Sequence, residues 1–415
     1  MFAAFFLHVN EYKKRAVQKV VFGLLVLLCL GMIGQLIAGV DKYDFVQIFK
    51  DGFEDKTGGG VLCGSLAFLL HAAVGEVGTY IILTLAVIVC VVLFAEFSVI
   101  DFFKREEGRT QFLAVESLNL IYNLLTTLLI IIFFNSLQNP QEMLMGRFLI
   151  VAGTFAVIYL YTRYPSPLTR YLRIASQMAL LAYWYPDTFE FNRIFPNLDH
   201  LFATAELSLF GCQPAILFEQ ICSHPLWREA FNMGYWAYYP MIFTLTTWYF
   251  FKQARDVERC TFVIMASFFI YYFIYMFIPV AGPQFYFPVI GDAVAATGPY
   301  PAIGDYFNMH PEIAIPQAGK GGLFTSLVSM AQASGERPTA AFPSSHIGIS
   351  TILILLAYRA KKGLALTLFP LYILLCCATV YIKAHYLVDA IAGLVSGVIF
   401  YLLTNSIYNR FIKEQ

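Results

Sequence analysis

The sequence predicts an all-α fold, a polytopic integral-membrane helical bundle of about ten transmembrane helices with both termini cytoplasmic. Three observations predict it. Of 415 residues, 59% are hydrophobic and only 13% charged, with a mean hydropathy of +0.66, whereas an ordinary soluble domain carries about 25% charged residues. Apolar runs long enough to cross a hydrocarbon core recur along the chain. Lysine and arginine gather at alternate ends of those runs.

A crossing needs about 20 predominantly apolar residues. Clear spans read at 20–40, 78–97, 118–134, 233–251, 260–280, 364–381 and 386–408, and weaker ones at 148–162, 172–185 and 347–358. The run 61–74 is short and carries Gly64, Ser65 and His71, so it reads as a re-entrant or surface helix. The first run is too long for the apolar core of a signal peptide and lacks a small-residue cleavage site, so it reads as a retained anchor. Ahead of it, Phe2, Phe5, Phe6 and Leu7 followed by a basic end read as an interfacial amphipathic piece.

Basic residues near span ends favour the cytoplasmic side. On ten spans, one face receives Lys13, Lys14, Arg15, Lys19, Lys104, Arg105, Arg109, Arg163, Arg170, Arg173, Lys252, Arg255, Arg259, Arg359, Lys361, Lys362, Arg410 and Lys413. The other face, with the long loops 41–77, 186–232 and 281–345, receives Lys42, Lys50, Lys56, Arg147, Arg193, Arg228, Lys320, Arg337 and Lys383. The first face is therefore read as cytoplasmic. The overall balance, 27 basic against 27 acidic residues, says nothing of a nucleic-acid partner, which would need a concentrated basic face, and none is expected. Eight cysteines show no metal-binding spacing. Cys29, Cys63, Cys90, Cys260, Cys376 and Cys377 read as small apolar residues of the apolar runs, and Cys212 and Cys222 share an outer loop where an oxidising compartment would let them pair.

Two segments point to chemistry: Arg337-Pro338-Thr339-Ala340-Ala341-Phe342-Pro343-Ser344-Ser345-His346, and His385-Tyr386-Leu387-Val388-Asp389. If 347–358 descends and 364–381 climbs back, His346 and His385 return to the same, non-cytoplasmic membrane face. His385 and Asp389 are four apart on a helix and share a side, so the carboxylate can hold one ring nitrogen's proton and leave the other nitrogen free as a nucleophile. Ser344 caps the helix that Ser345 and His346 open, and the free amides of its first turn offer an anion site. His346 can then protonate a departing oxygen, and Arg337 can grip phosphate oxygens in a bidentate clamp. Lys383 stands nearby as a further phosphate-binding candidate.

Phe342-Pro343-Ser344-Ser345-His346 followed by His385-Tyr386-Leu387-Val388-Asp389 resembles the second and third motifs of the type 2 phosphatidic acid phosphatase superfamily, over a motif core of 277–399. That superfamily holds lipid phosphatases, inositol-phosphoceramide synthases and soluble vanadium haloperoxidases. The resemblance implies His385 as the nucleophile that becomes phosphohistidine, Asp389 as its orienting partner, His346 as the acid, and no metal or other cofactor. It also implies two parts, an N-terminal transmembrane bundle over 1–170 of unknown role and a catalytic transmembrane domain over 171–415.

Two departures matter. The first-motif lysine position holds Met330, and the Ser-Arg of the phosphatases' third motif is replaced by Ala378-Thr379. Fewer cations suit a phosphodiester monoanion better than a monoester dianion, and Ile278-Pro279-Val280-Ala281-Gly282-Pro283-Gln284-Phe285-Tyr286-Phe287 is similar to a proline-rich aromatic stretch of the inositol-phosphoceramide-synthase-like members. The expected substrate is thus a membrane phospholipid or lipid phosphate, with a ceramide-type acceptor for its phospho-headgroup, at the periplasmic or lumenal face. A lipid phosphatase is the alternative, and a non-enzymatic membrane protein with a dead site is a second one.

Overall fold

Helical geometry follows from the apolar composition, because a backbone inside lipid must satisfy its own hydrogen bonds. The computed structural model of the protein describes residues 23–33, 35, 62–68, 70, 79, 83, 86, 112–310 and 322–411, and these include no strand. Most of the expected span 78–97, parts of the span 20–40 and of the run 61–74, both termini, Cys90 and Lys320 lie outside the described residues. The chain forms two units, Met1–Lys104 and Arg105–Gln415. In the first, Cys29, Met32, Ala67 and Leu83 pack together.

Fifteen helices follow in order through the described part of the second unit: α1 (Ala114–Ile132), α2 (Pro140–Arg163), α3 (Pro167–Asn192), α4 (Asp199–Phe210), α5 (Pro214–Ile221), α6 (Pro225–Trp236), α7 (Tyr238–Lys252), α8 (Val257–Phe277), α9 (Pro283–Ile290), α10 (Asp292–Thr297), α11 (Tyr306–Met309), α12 (Leu323–Gly335), α13 (Ser345–Ala360), α14 (Lys362–Tyr381) and α15 (Leu387–Phe411). Among the described residues, α1, α2, α8, α14 and α15 are long and apolar enough to cross a membrane, and the bent pair α4 and α5, 63° apart, makes a sixth if counted as one span. Helices of this length and composition mark an integral membrane protein. Prolines open α2, α3, α5, α6 and α9, where the missing amide hydrogen costs nothing.

α8 is the axis of the bundle. It packs against α1, α3, α7, α13 and α15 and buries 78% of its apolar window, against 22% for α2 and 28% for α15. Outer helices instead turn residues such as Leu124, Phe148 and Leu402 outward, as lipid contact requires.

The span expected at 233–251 falls on two consecutive helices. The chain breaks at Ala237 into α6 and α7. Gly234 brings α6 onto the α14 backbone so closely that a Cβ there would lie 2.5 Å from the Leu374 carbonyl carbon, while α7 runs against α13. Two residues of the charge count also read differently, because Arg173 pairs with Glu116 of α1 at 2.6 Å and Arg147 pairs with Asp187 of α3, all four side chains buried. These charges are consumed by packing between helices and are poor reporters of membrane face.

Replacing Arg173 with Met strands the Glu116 carboxylate in an apolar interior and is expected to cost about 3–5 kcal/mol. The double replacement Arg173→Met, Glu116→Leu removes both charges and should recover most of that loss when melting of the detergent-solubilised protein is followed.

Candidate active site

The site forms where the turn before α13 meets the turn before α15. Glycines permit the meeting: a Cβ on Gly393 would lie 2.5 Å from the Ser344 carbonyl oxygen, and one on Gly397 2.6 Å from that of Gly348. At this crossing the Ser344 amide donates to the Asp389 carbonyl oxygen at 3.1 Å. The predicted hairpin thus brings His346 and His385 together, with ring centres 5.8 Å apart.

His385 is 4% exposed and sits in the turn between α14 and α15. Its amide donates to Thr379 O at 3.0 Å, and its Nδ1 lies 2.8 Å from the Ala341 carbonyl oxygen. A carbonyl only accepts, so Nδ1 carries the proton and Nε2 carries the lone pair. The sequence expectation gave this orienting role to Asp389. Its Oδ2 instead accepts the Tyr386 amide at 2.9 Å and stands 3.9 Å from Nδ1, beyond hydrogen-bond reach but close enough to stabilise positive charge on the ring. The reason is the turn itself: Asp389 is drawn to the exposed amides that open α15, and the backbone at Ala341 reaches the ring first.

Ser344 caps α13, its Oγ accepting the Ile347 amide at 3.4 Å. The anion site expected there is largely filled from within, because Tyr275 Oη accepts the Ser345 amide at 3.0 Å and donates to Pro343 O at 2.8 Å. The His346 ring is held between Tyr235 and Tyr238, at 4.7 and 4.6 Å between centres.

The two cations separate. Arg337 is exposed and donates to the Glu336 backbone oxygen at 3.2 Å, and its charge also acts on the Glu190 carboxylate. Lys383, in the left-handed region at φ 64°, pairs with Glu219 at 2.6 Å and lines a second cavity, of mixed polar and apolar lining and about 690 Å³. Where the phosphatase pattern has Ser-Arg, Ala378 and Thr379 are fully buried, and Met330 is exposed. Cys212 and Cys222 are free thiols.

Sequence reasoning passed over α4. Fully buried Asp199 accepts from the amides of Ala281 (2.7 Å) and Gly282 (2.8 Å), from Asn197 (2.6 Å) and from Tyr386 Oη (3.0 Å). Val280 O in turn accepts the Ala341 amide at 3.0 Å, so one buried carboxylate braces the strand of chain whose carbonyl orients His385. Gly282, at φ 96°, passes so near Ala384 O that a Cβ would lie 2.6 Å from it. Glu206 accepts the Val388 amide at 3.1 Å. The signal was present in the sequence: acids in an apolar stretch are expensive and rarely idle.

Beside His346 opens a cavity of about 800 Å³, running along α3 from Tyr171 to Tyr185 and along α7 from Tyr238 to Phe250, with Glu336, Ser345 and His346 also on its walls. It is lined mainly by apolar and aromatic side chains, and its length suits a hydrocarbon chain.

The sequence from Asp199 onward carries a family likeness. Residues 199–403 match the family model of the PAP2 superfamily. A PAP2 domain suggests phosphatase- or phosphotransferase-type chemistry. The match begins well upstream of the motif core, at the carboxylate that braces the site. Comparison with curated proteins and with solved structures found no significant match.

Adding a methyl group at Gly393 must push α13 from α15, so Gly393→Ala is expected to lower turnover about 100-fold, while Gly363→Ala, where a Cβ meets only Lys361 Cε at 3.9 Å, should leave it unchanged. A pH series gives a second test. Burial lowers His385 from 6.5 to about 4, partly opposed by the Ala341 hydrogen bond. Between these values the unfolded chain binds a proton that the native state does not, so stability falls as pH drops from 6.5 to 4. His385→Asn should make that part of the melting-temperature profile shallower, the remaining slope coming from His346, which burial lowers to about 3.

Proposed function

We propose that the protein is an integral-membrane enzyme that cleaves a lipid phosphate ester through a phosphohistidine on His385 at the non-cytoplasmic face, and passes the phospho-headgroup to a lipid hydroxyl, as an inositol-phosphoceramide synthase does. The observation that carries this reading is the fixed tautomer of His385, its Nε2 lone pair available beside a second histidine that borders a lipid-sized cavity. His385 Nε2 attacks phosphorus and the N–P bond forms as the P–O bond to the leaving group breaks. His346 gives that oxygen a proton. The acceptor hydroxyl then attacks, its proton passes to His346, and the N–P bond breaks. Asp389 steadies the charge on the His385 ring. Arg337 holds phosphate oxygens, and catalysis is mostly positioning and charge stabilisation.

Transfer is favoured over hydrolysis by the cation count. Of the two phosphate-gripping candidates, Lys383 is engaged with Glu219, and neither Met330 nor Thr379 restores a charge. A single guanidinium matches a diester monoanion better than a monoester dianion. The second reading, a lipid phosphatase, has water in place of the lipid hydroxyl.

Purified protein given labelled phosphatidic acid, or phosphatidylinositol with ceramide, should yield a labelled sphingolipid from the second mixture, and His385→Ala should lower the rate by about 10³-fold or more. Free phosphate from the first mixture alone would make the protein a phosphatase. No product above the His385→Ala background from either would defeat both readings.

A further inference from the structure

Glu336 is a carboxylate in a place built for hydrocarbon. It caps the C-terminus of α12 and is the sole carboxylate among the described residues lining the apolar cavity. Its Oε1 accepts from Tyr235 Oη at 2.9 Å, its Oε2 accepts from Gln284 Nε2 at 2.9 Å, and Gln284 is held in turn by Gln332 at 3.2 Å. Tyr235 is the ring stacked on His346. Arg337, next in sequence, turns its guanidinium to the Glu336 backbone oxygen rather than to its carboxylate.

A carboxylate accepts about four hydrogen bonds, and Tyr235, Gln284 and Gln332 leave at least one of these places open. Burial pushes the Glu336 carboxyl above its ordinary range, opposed by the donors from Tyr235, Gln284 and Gln332, so a further donor entering the cavity is stabilising. A phosphate at that point would be repelled, and an ester or ether oxygen, being an acceptor, would gain nothing. The matching ligand carries a hydroxyl at the head of a long apolar chain.

We propose that Glu336 is the recognition residue for the acceptor lipid, binding its hydroxyl group at the His346 end of the apolar cavity and thereby selecting hydroxyl-bearing long-chain lipids over fully esterified or etherified ones. This deepens the transfer reading and rests on it for the identity of the occupant as acceptor, but the binding preference can be measured without turnover.

Dodecanol and its methyl ether have nearly the same chain, and only the alcohol donates a hydrogen bond. Calorimetry on the full-length, detergent-solubilised protein should find the alcohol bound about tenfold more tightly or better. Glu336→Ala should reduce that preference to below about twofold, and His385→Ala, inactive in chemistry, should retain it. Should Glu336→Ala fail to fold, Glu336→Gln takes its place with a preference reduced about threefold or more. Equal affinities in the unmodified protein, or a preference that survives in the folded Glu336 variant, overturn the proposal. If the preference holds while the active protein makes no lipid product, the transfer reading falls and Glu336 remains an alcohol-binding residue.

Discussion

Everything at the site depends on how closely α13 and α15 approach. Gly348, Gly393 and Gly397 remove the side chains that would hold the helices apart, and the Ser344 carbonyl occupies the place a Gly393 Cβ would take. Inside lipid there is little hydrophobic drive between helices, so close backbone packing at small residues supplies the association. The consequence is chemical as well as mechanical. The same approach lets the Ser344 amide reach the Asp389 carbonyl and sets the two histidine rings side by side.

That crossing alone would leave irregular backbone unsatisfied near the membrane, where each orphaned group is expensive. The protein answers with buried acids. Asp199 gathers two amides, an asparagine and a tyrosine hydroxyl, Glu206 and Asp389 take amides at the opening of α15, and Tyr275 serves both sides of the Pro343-Ser344-Ser345 turn. These groups touch no reacting atom in the proposed chemistry. They make the Ala341 carbonyl a fixed object, and a fixed carbonyl determines which His385 nitrogen is free. Rigid support of this kind keeps reacting groups within a few tenths of an ångström of the productive geometry.

Much of the bundle was legible as apolar length. The runs at 118–134, 260–280, 364–381 and 386–408 correspond to α1, α8, α14 and α15 within a few residues, since a helix in lipid needs little beyond length and apolarity. Counting apolar residues was weaker where helices carry polar ends: 148–162 and 172–185 grow into α2 and α3, whose prolines at the first turn marked the true starts. At 233–251 a turn at Ala237 separates α6 from α7, and Arg147 and Arg173, counted as reporters of membrane face, are buried in pairs. The short helices of the long loops, α4 among them, were missed because their length falls below that of a span.

By itself the sequence determined the medium, the principal spans and the pairing of a Pro-Ser-Ser-His turn with a His-x-x-x-Asp turn, because hydropathy and short motifs are local properties of the chain. Only the tertiary structure decided that the Ala341 carbonyl rather than Asp389 receives the His385 proton, that Lys383 turns to Glu219, and that Asp199 and Glu336 belong to the neighbourhood of the site. Each of those outcomes is a competition among donors and acceptors far apart in the chain. The winner is set by distance, and distance exists only once the helices have packed.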